Sequence, residues 1–263
     1  MIGLLRSEAL KLRTITMNWV LGIIAVLFPV AITIISTAAT SDDQFAEARS
    51  SLEVLSGTNR VAIMLLGVIA AVSMTNEYGF GTIRPTFAAT PKRGRVIIAK
   101  GVVAVVTAML LDTMLLLIGL FGANAVVADR ADGTSLDLMA EPGLREMLIG
   151  SVVLAGLAAL AAYGIGMIVR STPASVALFL LWPLLVESIV GGVLYAITKN
   201  EHVMRWLPFN AGFSLGDLGS GSGSGFGEAA GFALTRVQSG LYFGAVAVGI
   251  ALLGTLSVQR RDA

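Results

Sequence analysis

The sequence contains no cysteine and a single histidine, His202. Without cysteine, disulfides, thiolate metal sites and cysteine nucleophiles are excluded. One histidine argues against a histidine metal cluster or a catalytic triad. The sequence also lacks a G-x-x-x-x-G-K-[ST] loop, with which ATPases bind nucleotide phosphates. We therefore predict a chain that is not an enzyme and carries no metal or cofactor of its own.

Charged residues are also scarce, and apolar ones are abundant. Hydrophobic residues make up 56% of the chain and charged residues 13%, and the mean hydropathy is +0.84. This composition indicates an integral membrane protein. A spanning helix needs about 20 mostly apolar residues. Six segments approach or reach that length, the second being the shortest: 19–39, 60–75, 96–122, 144–169, 174–197 and 238–258. We predict an all-α protein with six spans in one transmembrane domain, residues 1–263.

The charges separate into two sets along the chain. With the N-terminus inside, the inner segments hold eleven of the 18 Lys and Arg residues, and the outer segments hold twelve of the 17 Asp and Glu residues. Short loops rich in Lys and Arg stay on the cytoplasmic side. We therefore expect a multi-pass protein with both termini in the cytoplasm. The excess of arginine over lysine is typical of a GC-rich bacterial genome and favours a bacterial inner membrane.

Two segments outside the spans carry further predictions. Residues 1–18 place apolar side chains at helical spacing beside Arg6, Lys11 and Arg13, which predicts a helix lying in the inner interface with its cations near lipid phosphates. The alternative is a charged flank that only orients the first span. The long outer segment 198–237 is rich in aromatic residues, so parts of it should enter the outer interface or pack on the bundle.

The most polar inner segment is 76–100, NEYGFGTIRPTFAATPKRGRVIIAK, between the second and third predicted spans. Glu77 ends the second span, Gly81-Thr82-Ile83-Arg84 follows, and then come Pro91 with basic neighbours and Lys100 at the start of the third span. This order resembles the cytoplasmic coupling segment of type 2 ABC transporter permeases. The six spans, the lead helix, the short inner turn at 170–173 and the long outer segment before the last span match the same family.

The resemblance implies that 76–95 is a coupling loop whose short helix, about 82–89, lies in a groove of a separate ATPase subunit. Thr82 suits the N-cap of that helix and Pro91 its end. The residues implied in coupling are Glu77, Tyr78, Gly81, Thr82, Ile83, Arg84, Phe87, Pro91 and Arg93. The alternative is that these cations only hold the loop against anionic lipid. The placement of glycine, threonine and proline favours coupling.

Two acidic residues fall inside predicted spans, Glu187 in the fifth and Asp112 in the third. A charged side chain there costs about 2.5 kcal/mol or more, so it usually faces a cavity or a partner. Either acid could line a transport pathway. Either could instead join helices through hydrogen bonds, for instance near Tyr163 or Thr113, and Asp112 could reach the outer headgroups. For Glu187 both interpretations stay open, whereas for Asp112 the structural one is favoured.

The resemblance implies a transmembrane subunit of an ATP-driven exporter for a hydrophobic or amphiphilic compound such as a drug, peptide or lipid. Its partners would be two ATP-binding cassette ATPase subunits, which carry ATP and Mg, a second permease copy or homologue, and the lipid membrane, with no nucleic acid. Two alternatives remain open at this point. One is a membrane scaffold or sensor whose loop recruits a cytoplasmic protein, and the other is an ion-coupled carrier that uses Glu187.

Overall fold

The fold was examined in a computed structural model, which describes residues 2–39, 48–79, 81, 93–130, 141, 143–199, 206–218 and 235–261. These residues form helices and short connections. The helices are α1 (Ile2–Thr14), α2 (Thr16–Ala39), α3 (Ala48–Gly79), α4 (Arg93–Arg130), α5 (Leu144–Val169), α6 (Thr172–Leu181), α7 (Glu187–Thr198), α8 (Pro208–Phe213) and α9 (Arg236–Arg261). A π-helical turn, Trp182–Val186, joins α6 to α7, and a 3-10 turn, Ser214–Gly216, follows α8.

Six helical segments are long and apolar enough to cross a membrane: α2, α3, α4, α5, the continuous α6–α7 and α9. The predicted all-α fold with six spans is therefore confirmed. We call the end of the bundle that carries α1 the inner end and the opposite end the outer end, following the charge pattern. Which side faces the cytoplasm stays a prediction.

The second span differs most from its prediction. The sequence indicated residues 60–75, whereas α3 runs from Ala48 to Gly79. Two thirds of its most apolar stretch is buried inside the protein, far more than in the first or third span. A helix covered by other helices needs no continuous apolar face toward lipid, so the polar residues Ser56 and Asn59 lie within it. Most of the segment 40–59, which joins the first two predicted spans, thus extends this helix.

Small side chains let the central helices approach closely. On α5, Ala158, Ala162 and Gly166 are all buried. A Cβ on Gly166 would lie 3.0 Å from the Ala71 carbonyl oxygen of α3. Such contacts bring backbones together where lipid offers no hydrophobic driving force between helices. This stripe of small residues packs within the subunit.

The inner turn between α5 and α6 is two residues long. Arg170 takes a left-handed conformation (φ 60°) and its N–H donates to the Gly166 carbonyl oxygen at 3.0 Å, which ends α5. Ser171 is extended, and Pro173 in the first turn of α6 suits a helix start. The fourth and fifth spans are therefore joined as a tight helical hairpin.

Several predicted features lie outside the described residues. They are His202, the glycine-serine run 219–225 and residues 82–92 of the coupling segment. The lead helix is present as α1, and its placement in a lipid interface stays a prediction.

Candidate functional site

The last turn of α3 is tied to α1 and α4 by four charged side chains, which we call the inner ion cluster: Glu8, Lys11, Glu77 and Lys100. The Lys100 ammonium group lies 2.5 Å from Glu8 and 2.9 Å from Glu77. Lys11 lies 2.7 Å from Glu8 and 3.0 Å from Glu77. Each lysine thus bridges two carboxylates that belong to different helices. The cluster joins the lead helix, the end of the second span and the start of the third span.

Three members of the cluster are buried, and only Lys11 is substantially exposed. Burial raises the pKa of Glu8, but the hydrogen bonds and charges of Lys100 and Lys11 outweigh it, so the pKa lies below the ordinary 4.5. Burial likewise lowers the pKa of Lys11, but its bonds to Glu8 and Glu77 raise it above 10.5 overall. Both groups are therefore held in their charged forms at neutral pH.

These shifts predict how docking of α1 depends on pH. Because docking lowers the pKa of Glu8, the docked helix binds fewer protons, so docking is strongest above 4.5 and weakens as the pH falls through the lowered value. The contribution of Lys11 is present below 10.5 and is lost as the pH rises through the raised value. We expect the thermal unfolding midpoint of the solubilised protein to fall between about pH 6 and pH 3, and Glu8→Gln to flatten that fall.

The control for this experiment is Glu146→Gln, which changes an exposed carboxylate at the outer end. It should keep the pH profile of the wild type. If Glu8→Gln also kept that profile, the cluster would not be what holds α1 in place.

The other side of the last turn of α3 contacts the inner turn, and Arg170 of the inner turn also contacts the sixth span. The Thr172 hydroxyl donates to the Thr75 hydroxyl at 2.8 Å. The Arg170 guanidinium lies over the Tyr78 ring at 5.0 Å and donates to the Ser257 carbonyl oxygen at 3.1 Å. Together with the inner ion cluster, these contacts join this one turn to α1, α4 and the inner turn, and through Arg170 to α9. We call residues 75–78 the inner hub.

The chain leaves the inner hub through a glycine. The Gly81 N–H donates to the Tyr78 carbonyl oxygen at 3.2 Å, and Gly81 has a φ of +67°. Residues with a side chain rarely adopt that conformation, which suits glycine at the point where the coupling segment begins.

The structure places the predicted coupling residues unevenly. Glu77 and Tyr78 belong to the inner hub, and Gly81 follows it. Arg93 begins α4, so both ends of the predicted 76–95 loop are helical. Thr82, Ile83, Arg84, Phe87 and Pro91 lie outside the described residues, and their roles stay predictions.

A cavity of about 290 Å³ opens beside the inner ion cluster. Its lining combines the four charged residues with apolar side chains: Leu12 of α1, Ile15 between α1 and α2, and Val103 of α4. Within the described part of the chain, no group of three or more His, Cys, Asp or Glu side chains stands where it could hold a metal ion. The site offers paired charges and a mechanical connection between helices.

Glu187 meets partners that the sequence did not indicate. It is 2% exposed, and its carboxylate accepts the backbone N–H groups of Phe209 at 2.7 Å and Asn210 at 2.9 Å. Tyr163, one of the partners considered from the sequence, donates its hydroxyl to the Ile97 carbonyl oxygen instead. Glu187 therefore binds the first turn of α8, a helix of the outer segment.

Asp112 is completely buried, so it does not reach the outer headgroups as its position in the sequence allowed. Its neighbour Asn59 on α3 is 1% exposed. Thr113, the other residue considered as a partner, donates to the Met109 carbonyl oxygen within its own helix. The structure thus places Asp112 between the second and third spans, which suits a structural role.

The sequence missed the roles of Glu8, Lys11 and Arg170. Lys11 was expected at lipid phosphates, yet it pairs with Glu8 and Glu77. One signal was available, because Glu8 lies at helical spacing between Leu5 and Leu12, on the face of α1 that should be apolar. An acid in that position indicates a cationic partner. No comparable signal marked Arg170.

Comparison with known proteins identifies a family. No curated protein matches the chain. The family model described as ABC-2 family transporter protein matches residues 4–200, about three quarters of the sequence. That range includes α1, the inner hub and the first five spans. Proteins of this family are the membrane component of a transporter and work with an ATP-binding cassette component. The chain therefore belongs to the ABC-2 family of transporters, as a multi-pass membrane component.

Proposed function

We propose that the chain is the permease subunit of an ATP-driven exporter, working with two ATP-binding cassette ATPase subunits and a second permease copy or homologue. One observation carries the proposal. The basic segment starts at the inner hub, the turn that contacts α1, α4 and the α5–α6 hairpin and is linked to α9 through Arg170. A partner that moves this segment would move the inner ends of most spans together.

The contacts of the inner hub suit the transmission of force. Two of the charged partners, Glu8 and Lys100, are almost fully buried and lie 2.5 Å apart, so the lead helix and the third span are fastened where α3 ends. Packed elements with discrete contacts shift as units. Hydrolysis of ATP, bound with Mg on the partner ATPases, supplies the energy, and this chain supplies the connection between helices and the membrane pathway.

The proposed cargo is a hydrophobic or amphiphilic compound such as a drug, peptide or lipid. The aromatic side chains of the outer segment support this choice, for instance Trp206, which is 60% exposed. The charge pattern supports a bacterial inner membrane with both termini in the cytoplasm.

The contacts of Glu187 argue against the alternative of an ion-coupled carrier. Both carboxylate oxygens already accept backbone N–H groups of α8. A carrier that used Glu187 would have to break these bonds in order to bind an ion in each cycle.

The proposal predicts that the tagged chain co-purifies with an ATP-binding cassette ATPase from its own host. Replacing residues 82–89 with a glycine-serine linker should abolish this association and leave the thermal unfolding midpoint of the chain unchanged, because those residues would contact only the partner. The same replacement over 219–226, a stretch already rich in glycine and serine, is the control and should retain the ATPase. If no ATPase co-purifies with the wild type and reconstituted vesicles show no ATP-dependent transport, the proposal is wrong.

A further inference from the structure

The outer segment forms a compact piece that we call the outer wedge, residues 206–218, consisting of α8, the 3-10 turn and their flanks. Its inward side chains are buried, with Phe209 4%, Ala211 0% and Leu215 6% exposed. Phe209 packs edge-on against Phe179 of the fifth span, with ring centroids 5.8 Å apart, and against Phe243 of the sixth at 5.1 Å. The outer wedge therefore fills the space between the outer halves of these spans.

Three contacts near the outer end of the bundle also hold the outer wedge, and we call them the shallow contacts. Arg60 of α3 forms an ion pair with Asp217 at 2.5 Å, and Arg236 donates to the Asp217 carbonyl oxygen. The Tyr242 hydroxyl donates to the Trp206 carbonyl oxygen at 2.8 Å. The groups of these contacts are partly or fully exposed, and they join the wedge to α3 and α9.

The contact with Glu187 differs from these because it is buried. Glu187 lies 15 residues after the start of α6, about 22 Å along the helix, in a membrane core about 30 Å thick. The first N–H groups of α8 have no partner within their own helix, and at this depth no water would be expected to bind them. The Glu187 carboxylate accepts hydrogen bonds from two of these N–H groups.

The π-helical turn places Glu187 where it can reach α8. Glu187 follows Phe179 by eight residues, which in an unbroken α-helix would place the two side chains about 80° apart around the axis. The π-helical turn Trp182–Val186 contains one residue more than an α-helical turn, which rotates Glu187 by about 100° relative to Phe179. The two side chains therefore lie within about 20° of each other around the axis. Phe179 and Glu187 thus share one face of the fifth span, and both contact the first residues of α8.

We propose that Glu187 is a positioning residue, which together with the π-helical turn fastens the outer wedge and keeps the outer ends of the fourth, fifth and sixth spans closed to water. Breaking its hydrogen bonds to Phe209 and Asn210 releases the deep end of the wedge, while the shallow contacts remain. This inference concerns the permease chain alone and does not depend on an ATPase partner or a cargo.

The test uses the natural absence of cysteine, which lets a single introduced thiol report on burial. Ser214, 8% exposed on the outer wedge, is replaced by cysteine, a change of similar size. The rate of reaction with a water-soluble maleimide is measured on the solubilised chain. Adding Glu187→Ala should raise that rate at least about tenfold, since labelling follows the population of the opened state. Glu187→Gln keeps one carbonyl acceptor, so its labelling rate should lie between those of the wild type and Glu187→Ala.

Two controls separate release of the wedge from general unfolding. Ser73→Cys is a matched reporter, because Ser73 is buried at the inner end and, like Ser214, donates to the carbonyl three residues earlier. Its labelling should not respond to Glu187→Ala. Ser188→Ala changes the exposed next residue and should leave Ser214→Cys protected.

Deleting Leu184, a half-exposed residue of the π-helical turn, tests the register directly. The deletion restores α-helical spacing, turns Glu187 away from α8 and should raise Ser214→Cys labelling as Glu187→Ala does. Equal labelling in wild type and Glu187→Ala would overturn the inference, as would a parallel rise at Ser73→Cys. Protection that persists after the deletion would overturn the role of the π-helical turn.

Discussion

Replacing Glu77 with alanine is expected to lower transport by at least about tenfold while the associated ATPase continues to hydrolyse ATP. Glu77 accepts from both Lys11 and Lys100 where the coupling segment begins. Without it, the end of α3 loses its link to α1 and α4, so a force on the segment no longer moves these helices together. Coupling free energies of about 1–3 kcal/mol are enough for this effect. The measurement compares ATP hydrolysis with ATP-dependent transport in reconstituted vesicles.

A double variant separates lost coupling from lost stability. Glu77→Ala alone leaves the buried Lys100 with one carboxylate fewer, and breaking a buried pair costs about 3–5 kcal/mol. Replacing both partners relieves that cost. Glu77→Gln combined with Lys11→Met leaves the buried Lys100 paired with Glu8 at 2.5 Å, so it should recover thermal stability and remain uncoupled. Recovery of transport in the double variant would show that Glu77 acts on stability alone. Glu146→Ala, at the outer end, should behave as the wild type.

Gly150→Ala is expected to lower the thermal unfolding midpoint by roughly 3–10 °C. A Cβ at this position of α5 would lie 1.8 Å from the Leu215 carbonyl oxygen of the outer wedge. Because the obstacle is a backbone atom, no side-chain rotation relieves the clash, and either the wedge or α5 must move. Differential scanning fluorimetry of the solubilised protein measures the shift. The displaced wedge should also leave Ser214→Cys open to maleimide.

Gly192→Ala is the matched control for that prediction. Gly192 lies in α7, and a Cβ there meets nothing within 4 Å. Alanine also favours a helix over glycine by about 0.5–1 kcal/mol. Its midpoint should be unchanged or slightly higher. A similar loss of stability in both variants would mean that the close approach of α5 to Leu215 contributes nothing specific.

The membrane fold could be predicted because long apolar segments and the placement of Lys and Arg are properties of local sequence. Burial of a helix inside the bundle could not be predicted, and this is why the predicted second span was too short. Ser56 and Asn59 interrupt its apolar run, yet neighbouring helices cover both. Hydropathy measures how well a segment suits lipid, and it does not show whether other helices bury that segment.

The residues of the inner hub could be singled out because one contiguous segment carries them, whereas their partners from distant parts of the chain were missed. Glu77 was recognised by its place at the end of a span. Its pairing with Lys11, 66 residues earlier, needs the three-dimensional arrangement. The same holds for Glu187, whose partners are backbone N–H groups and therefore leave no trace in the side-chain sequence.

The wide separation of these partners also bears on biosynthesis. A chain emerges from the ribosome at about 5–20 residues per second, so α1 is complete several seconds before Glu77 and Lys100 reach the membrane. Until then its charged face has no binding partner in the protein. If the third span were inserted in the opposite direction, Lys100 would end on the far side and α1 would stay undocked. The inner ion cluster thus forms only when the first three spans have the correct topology, and an exposed lead helix would mark a misinserted chain for proteolysis.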